Sequence, residues 1–276
     1  MTSGKSLGNV LSVLVGKFSR TARRNLELCL PDLTPDEREW LVARHFHSLG
    51  IALFETALSW WGSDERILKL AKMEGREHLD AALAKGKGVI LLSAHFTTLE
   101  IGARIIAATT PINIMYRPSN NPLLAHFLAR NRSRHTRRAI RRDDVRTLVT
   151  ALRANEIVWY APDQSYRKKG AQMVRLFGIP AATNTATSRL AAMTGAAIVP
   201  YFVERLPGTR GYRAVIHPAL EDFPSDSPVA DAERFNSLIE QQVRLVPEQY
   251  LWIHRRFKGL TDDYPDYYGR QAPGSA

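Results

Sequence analysis

A glycine, a short aliphatic run and a histidine constrain this chain more than any other stretch: Gly88-Val89-Ile90-Leu91-Leu92-Ser93-Ala94-His95, followed at once by Phe96-Thr97-Thr98-Leu99-Glu100. An apolar run this short, with β-branched residues and a glycine in front, reads as a buried central strand, and the Thr-Thr-Leu-Glu after it as a helix start. His95 therefore stands where a strand ends. In open α/β sheets, ligands bind in the crevice beyond the carboxyl ends of the strands, so a histidine placed there meets substrate. Thr97 or Thr98 is expected to cap the helix. Glu100 would then lie in its first turn, where its charge suits the helix dipole and its carboxylate can fold back towards the imidazole. An imidazole oriented by a carboxylate is a general base for a substrate hydroxyl. The plainer alternative is a core histidine beside a capping glutamate.

Three more strand-like runs follow, Ile112–Tyr116, Ile157–Ala161 and Ala197–Phe202, with a further one at Tyr212–His217, and helical stretches alternate with them. That alternation predicts an α/β fold with a mostly parallel central sheet flanked by helices. Leu33-Thr34-Pro35-Asp36-Glu37 supplies a capping threonine, a proline at the first helical position and acids in the first turn, so a helix runs from there through Ile51 and Glu55 to Trp60-Trp61-Gly62. Phe235, Leu238, Ile239, Val243 and Val246 keep helical spacing and cover one sheet face. No internal repeat is visible. We divide the chain into an amphipathic basic helix at 1–25, a catalytic domain at 26–265 and a loose tail at 266–276. With 276 residues, 45% of them hydrophobic, the central part can bury a sizeable core as one domain.

At the amino terminus Leu7, Val10, Leu11, Leu14, Val15 and Phe18 fall on one helix face, and residues 1–26 hold Lys5, Lys17, Arg20, Arg23 and Arg24 without an acid. Such a helix suits an anionic membrane surface or docks on its own domain. At about 18 Å it is too short for the roughly 30 Å of a bilayer core.

The 38 lysines and arginines against 27 acids give a net charge of +11, which calls for anionic partners. Eight arginines crowd residues 126–146, among them Arg137 and Arg138, opposed only by Asp143 and Asp144. A polyanionic partner fits this run, and a solvated basic helix is the simple alternative. Nucleic acid is disfavoured, because aromatic interleaving, zinc-finger spacing and a recognisable nucleic-acid module are all missing. Leu92-Ser93-Ala94 is not the Gly-x-Ser-x-Gly elbow a serine hydrolase needs. His45 and His47, two apart, point to different faces and make a poor metal pair. No metal cluster or dinucleotide fingerprint is found, so no cofactor is expected. Cys29, the lone cysteine, sits between leucines as a packing residue.

Other polar residues gather at predicted strand ends. Arg117, after the second strand and before Pro118, is either a surface arginine before a proline-bounded turn or a guanidinium that holds a phosphate in two-point fashion or faces a developing oxyanion. In Pro162-Asp163-Gln164-Ser165, Asp163 can orient an arginine such as Arg117 or position an acceptor, and Gln164 can hydrogen-bond substrate, unless the stretch is a plain turn. Ala182–Ser188 is small and hydroxylic ahead of a helix carrying Arg189, which lets a ligand approach the backbone closely or lets helices pack tightly. Arg255, Arg256 and Lys258 are further cations for phosphate.

These blocks carry a family resemblance. His-x4-Glu within Ala94–Arg104 resembles the signature of the late lipid A acyltransferases, the lauroyl (Kdo2-lipid IVA lauroyltransferase-like) branch especially. Tyr116–Leu123, Trp159–Tyr166 and Pro247–Lys258 are similar to its later blocks. Many relatives carry an acid where Ser165 stands, and the family's amino-terminal hydrophobic segment is longer. Glycerolipid acyltransferases also share a His-x4-acid pair but have aspartate there and a Pro-Glu-Gly-Thr block; they are the wider alternative. The resemblance implies a glycerolipid-acyltransferase-like fold and a peripheral enzyme at the cytoplasmic face of the inner membrane. It implies direct transfer of a laurate-like chain from acyl carrier protein to a 3-hydroxyacyl hydroxyl of a lipid A precursor. His95 and Glu100 would be catalytic, and Arg117, Arg137, Arg138, Asp163, Gln164, Arg189 and Arg255 would bind substrate.

Overall fold

The computed structural model describes residues 2–118 and 121–269, with their side chains except those of residues 2–15, 122–125 and 129. In chain order the elements are α1 (Thr2–Cys29), α2 (Pro35–Trp61), α3 (Asp64–Lys69), β1 (Ala71–Glu74), α4 (Arg76–Ala84), β2 (Val89–Leu92), α5 (Leu99–Ala107), β3 (Ile112–Tyr116) and α6 (Pro122–Ser133). They continue with β4 (Arg138–Arg141), α7 (Val145–Arg153), β5 (Ile157–Tyr160), β6 (Ala171–Leu176), β7 (Ile179–Asn184), α8 (Ala186–Thr194), β8 (Ala197–Arg205), β9 (Tyr212–Ile216) and α9 (Pro228–Leu245).

The seven-stranded sheet has the order β1-β9-β8-β2-β5-β3-β4, and β6 with β7 forms a separate hairpin. Every pair in the large sheet is parallel except β8 with β9. β2 lies between β8 and β5 with all four residues buried, as its unbroken aliphatic run requires of a strand covered on both faces. Successive side chains alternate between two cores. Ile90 and Leu92 join the one made with α1, α8, α9 and Trp252; Val89 and Leu91 join the one made with α4 and α5. Gly88 enters β2 at φ 75°, where an added Cβ would stand 2.3 Å from the Leu152 carbonyl oxygen, so only glycine fits.

The expected α/β architecture is present, with strands that sequence periodicity did not reveal. β1 and β4 are edge strands of four residues; β4, Arg-Ala-Ile-Arg, buries only Ile140 and lies inside the arginine run. Charge on an edge strand keeps it from pairing further and also hides it from an apolar-pattern reading. α2 opens with a complete capping box, in which the Thr34 side chain accepts from the Glu37 N–H and the Glu37 carboxylate accepts from the Thr34 N–H. Residues 2–29 form a helix, but the apolar face expected at Leu7–Phe18 lies, except for Phe18, outside the described side chains. Among the described residues no helix is long and apolar enough to cross a membrane.

Candidate active site

The turn after β2 carries His95, and the parallel register explains what meets it. Leu92 pairs with Tyr160, so the residues three further along each chain, His95 and Asp163, leave the sheet side by side. The His95 Nδ1–H donates to Asp163 Oδ1 at 2.6 Å, and the His95 backbone N–H donates to Oδ2 at 2.9 Å. The Tyr250 hydroxyl also donates to Oδ2, at 3.3 Å. Burial alone would raise the carboxyl pKa of Asp163; the His95 ring, both hydrogen bonds from His95 and the Arg256 charge outweigh that and hold it below the ordinary carboxylate range. With its proton on Nδ1, the imidazole keeps Nε2 as an acceptor.

The histidine turn is pinned by the last block of the chain. The Leu251 N–H donates to the His95 carbonyl at 3.0 Å, the Thr97 N–H donates to the Gln249 carbonyl at 2.7 Å, and Phe96 bridges Tyr250. Further along that block, His254 Nε2 accepts the Ser165 N–H at 3.1 Å, which requires a neutral ring; burial pushes its pKa down to about 4. His95, Asp163 and Gln164 share a narrow crevice with Leu176, Leu251, Trp252 and Phe257, and with Asn25 and Cys29 from α1. Its walls are mostly apolar and closely packed.

Glu100 does not complete a pair with His95. It lies in the first turn of α5, but its carboxylate is taken by Arg132 of α6, through Nη2 and, at 3.5 Å, Nε. Neither threonine caps the helix with its side chain: the Thr98 hydroxyl donates to the Val203 carbonyl at 2.7 Å, and Thr97 Oγ1 pairs with Ser48 Oγ at 2.7 Å. The tertiary partner across β5 thus replaces the local one expected from spacing.

The other expected site residues divide. Arg117 is exposed directly after β3, at the same sheet edge as His95. Arg137 and Arg138 are at the opposite edge, because the register pairs Arg138 with Asn113 near the start of β3; both bind Glu156, at 3.2 and 2.5 Å. Arg141 and Arg142, at the far end of β4, are exposed at the histidine's edge; Arg141 is paired with Asp143, and the Arg142 backbone N–H donates to the Tyr116 carbonyl. Arg189 is exposed, its guanidinium beside Gly170. Arg255 is half-buried with its guanidinium over the Tyr268 ring, while Arg256 is buried and donates to Ala182 O and Thr183 Oγ1. Tyr250 and His254, which touch the centre, lie in that same block, whose cations alone signal function in the sequence.

A histidine held by a carboxylate at the edge of a parallel sheet, beside an apolar crevice, suits transfer of an acyl chain to an alcohol, and comparison with known proteins gives the family. Residues 2–259 match the family model for bacterial lipid A biosynthesis acyltransferases. This chain belongs to that family. It is 36% identical to the lipid A biosynthesis lauroyltransferase of Escherichia coli (strain K12), over 96% of this chain and 87% of the relative. It is 38% identical to the palmitoleoyltransferase of the same organism, over 92% and 83%. The myristoyltransferase of that organism is more distant, at 26% over 90% and 79%. As a lipid A biosynthesis acyltransferase, the protein is an enzyme of acyl transfer.

Within this acyltransferase the Glu100–Arg132 pair ties α5 to α6, the helix that follows the Arg117 turn. We propose that Glu100 is a positioning residue acting through Arg132. In a double-mutant cycle on acyl transfer, Glu100→Ala, Arg132→Ala and their combination should then cost nearly the same, with strong non-additivity. Losses that simply add would separate the two residues.

Proposed function

We propose that the protein moves a laurate-like acyl chain from acyl carrier protein to a hydroxyl of a 3-hydroxyacyl chain on a lipid A precursor of the Kdo2-lipid IVA kind. The reaction takes place peripherally at the cytoplasmic face of the inner membrane. The observation that carries this reading is the His95–Asp163 pair lining an apolar crevice at the sheet's carboxyl edge. His95 Nε2 takes the acceptor hydroxyl proton as that oxygen attacks the thioester carbonyl. The new C–O bond forms, the C–S bond breaks as the tetrahedral centre collapses, and the imidazolium returns its proton to the leaving thiolate. No acyl-enzyme is needed. Asp163 holds the ring in the required tautomer and offsets the charge it gains.

Binding follows from what surrounds the base. Leu176, Trp252 and Phe257 line the crevice beside the base but are only 1–2% exposed, so hydrocarbon enters there as these apolar side chains move apart. Arg117, Arg142 and the exposed Arg167, Lys168 and Lys169 of the β5–β6 connection offer cations for the phosphates of the acceptor and for an acidic carrier protein, which their field also steers. Gln164 is at hand to hydrogen-bond substrate.

The test is mass spectrometry of the full chain incubated with tetra-acylated precursor and a panel of acyl carrier proteins loaded with chains of different length. The expected product is the precursor plus one ester-linked chain, formed fastest with the lauroyl donor. An unchanged precursor with every donor, or acylation only of a lysoglycerophospholipid offered alongside, would overturn the reading.

A further inference from the structure

The second helix exposes a face that no part of the described protein covers. Trp40 is 63% exposed, Leu53 73%, Phe54 80% and Trp61 62%. At 3.6 residues per turn, Trp40, Ala43, His47, Gly50, Phe54 and Trp61 share one side of α2, with Leu53 on its flank. The opposite side buries Leu41, Val42, His45, Ser48, Glu55 and Ser59. The aromatic ends of this stripe are about 32 Å apart. The other exposed large apolar residues are scattered along the chain, as on any soluble surface.

Charge is distributed along the stripe in a particular way. Between Trp40 and Trp61 the one acid is Glu55, which is buried against Arg205 on the other side, and the one exposed cation is Arg44, whose guanidinium stacks over Trp40 at 5.7 Å. Lys17 and Arg20 are exposed on α1, which packs beside α2 and is tied to it by Arg23 and Glu39. At the other end Trp60 meets Phe127 of α6 edge to face at 5.2 Å, and Arg130 is exposed one turn further on. The margins carry both signs: the exposed cations Lys17, Arg20 and Arg130 stand near exposed acids, Asp36, Glu37 and Glu39 at the Trp40 end, the last paired with Arg23, and Asp64 and Glu65 beyond Trp61. An apolar, acid-free middle of about five turns with tryptophans at both ends matches a helix lying in the plane of a bilayer interface, its nearby cations meeting the anionic headgroups.

We infer that the outer face of α2 is a lipid-docking surface, with Trp40 and Trp61 at headgroup depth and Leu53 and Phe54 among the upper acyl chains. The inference rests on the reading above in taking the acceptor to be a bilayer lipid, and it adds the surface by which the enzyme meets it. The inner side of the same helix contacts the histidine turn through Ser48 and Thr97, so docking brings the crevice to the membrane surface.

The full chain is floated with vesicles of phosphatidylcholine and phosphatidylglycerol in equal parts, wild type against the Leu53→Asp, Phe54→Asp double variant. These side chains point to solvent, so the melting temperature and the turnover of detergent-dispersed acceptor should stay at the wild-type values. Vesicle partitioning should fall about tenfold or more. Bromine-labelled acyl chains should quench the tryptophan emission of the wild type, and Trp40→Phe with Trp61→Phe should remove most of that quenching. Equal partitioning of wild type and variant, or failure of the wild type to bind vesicles, overturns the inference. A wild-type dimer that the double variant converts to monomer, without change in vesicle binding, assigns the face to a second copy and overturns it too. Loss of vesicle binding in the variant, with no acyl transfer by either protein, keeps the surface and removes the proposed reaction.

Discussion

An Asp163→Asn substitution should lower the rate constant for acyl transfer by about 10^3- to 10^4-fold, while substrate KM stays within a few-fold and the melting temperature changes little. The side chain keeps its size, so packing around the crevice survives. What changes is the hydrogen on Nδ1. The carboxylate can only accept, and it accepts from the His95 ring at 2.6 Å and from the His95 backbone at 2.9 Å. A carboxamide has one acceptor oxygen for these two donors and can turn its NH2 to the ring, which leaves the proton on Nε2 and removes the base from the crevice. It also removes the negative charge that offsets the imidazolium as the hydroxyl proton arrives. His95→Ala should lose at least as much. Steady-state kinetics with a melting curve for each variant makes the check: an Asp163→Asn enzyme within tenfold of wild-type kcat would remove Asp163 from the mechanism.

How far the site could be read from the chain turns on that pair. His95 at a strand end was legible because β2 is a strand of four aliphatic residues, too short and too uniformly apolar to lie at a sheet edge. Its carboxylate was not. Spacing presents only Glu100 as a neighbour, whereas Asp163 is 68 residues away and reaches His95 because β5 lies next to β2 in parallel register. Strand neighbourhood is a long-range property that no local pattern encodes. The same cause misplaced Arg137 and Arg138. Residues 126–146 read as one basic tract, but β4 crosses it, sending Arg138 to one edge of the sheet and Arg142 to the other, where Arg117 stands. α2 could be read because its start is a local device, the Thr34–Glu37 capping box. The closing block was recognisable as a motif, yet its work is to hold the histidine turn through Gln249, Tyr250 and Leu251, which its charges do not suggest.

The largest stability effect is expected at Glu55, which holds the surroundings of the site together from underneath. Arg205, at the end of β8, places Nε and Nη2 on its two carboxylate oxygens at 2.6 and 2.5 Å, and the Tyr212 hydroxyl adds a third donor at 2.8 Å. The same guanidinium donates to Ser48 Oγ at 2.6 Å and reaches Thr97 Oγ1 at 3.5 Å, two residues past His95. Its backbone exchanges two hydrogen bonds of 2.9 Å with the Gln249 side chain. One buried pair therefore joins α2, two strands, the histidine turn and the closing block. Removing only the acid leaves a buried guanidinium without its counter-charge, which costs about 3–5 kcal/mol, a large share of the roughly 5–15 kcal/mol by which a domain is stable. Glu55→Ala should accordingly lower the melting temperature by roughly 6–15 °C. Glu55→Met combined with Arg205→Leu removes both charges and refills the volume, so much of the lost stability should return. Turnover should not return with it, because the double variant no longer ties Ser48 and Thr97 to β8. Thermal unfolding and kcat measured on the same preparations decide the point. A double variant as unstable as Glu55→Ala would show that packing, not the unpaired charge, sets the cost, and a double variant with full turnover would free the histidine turn from this network.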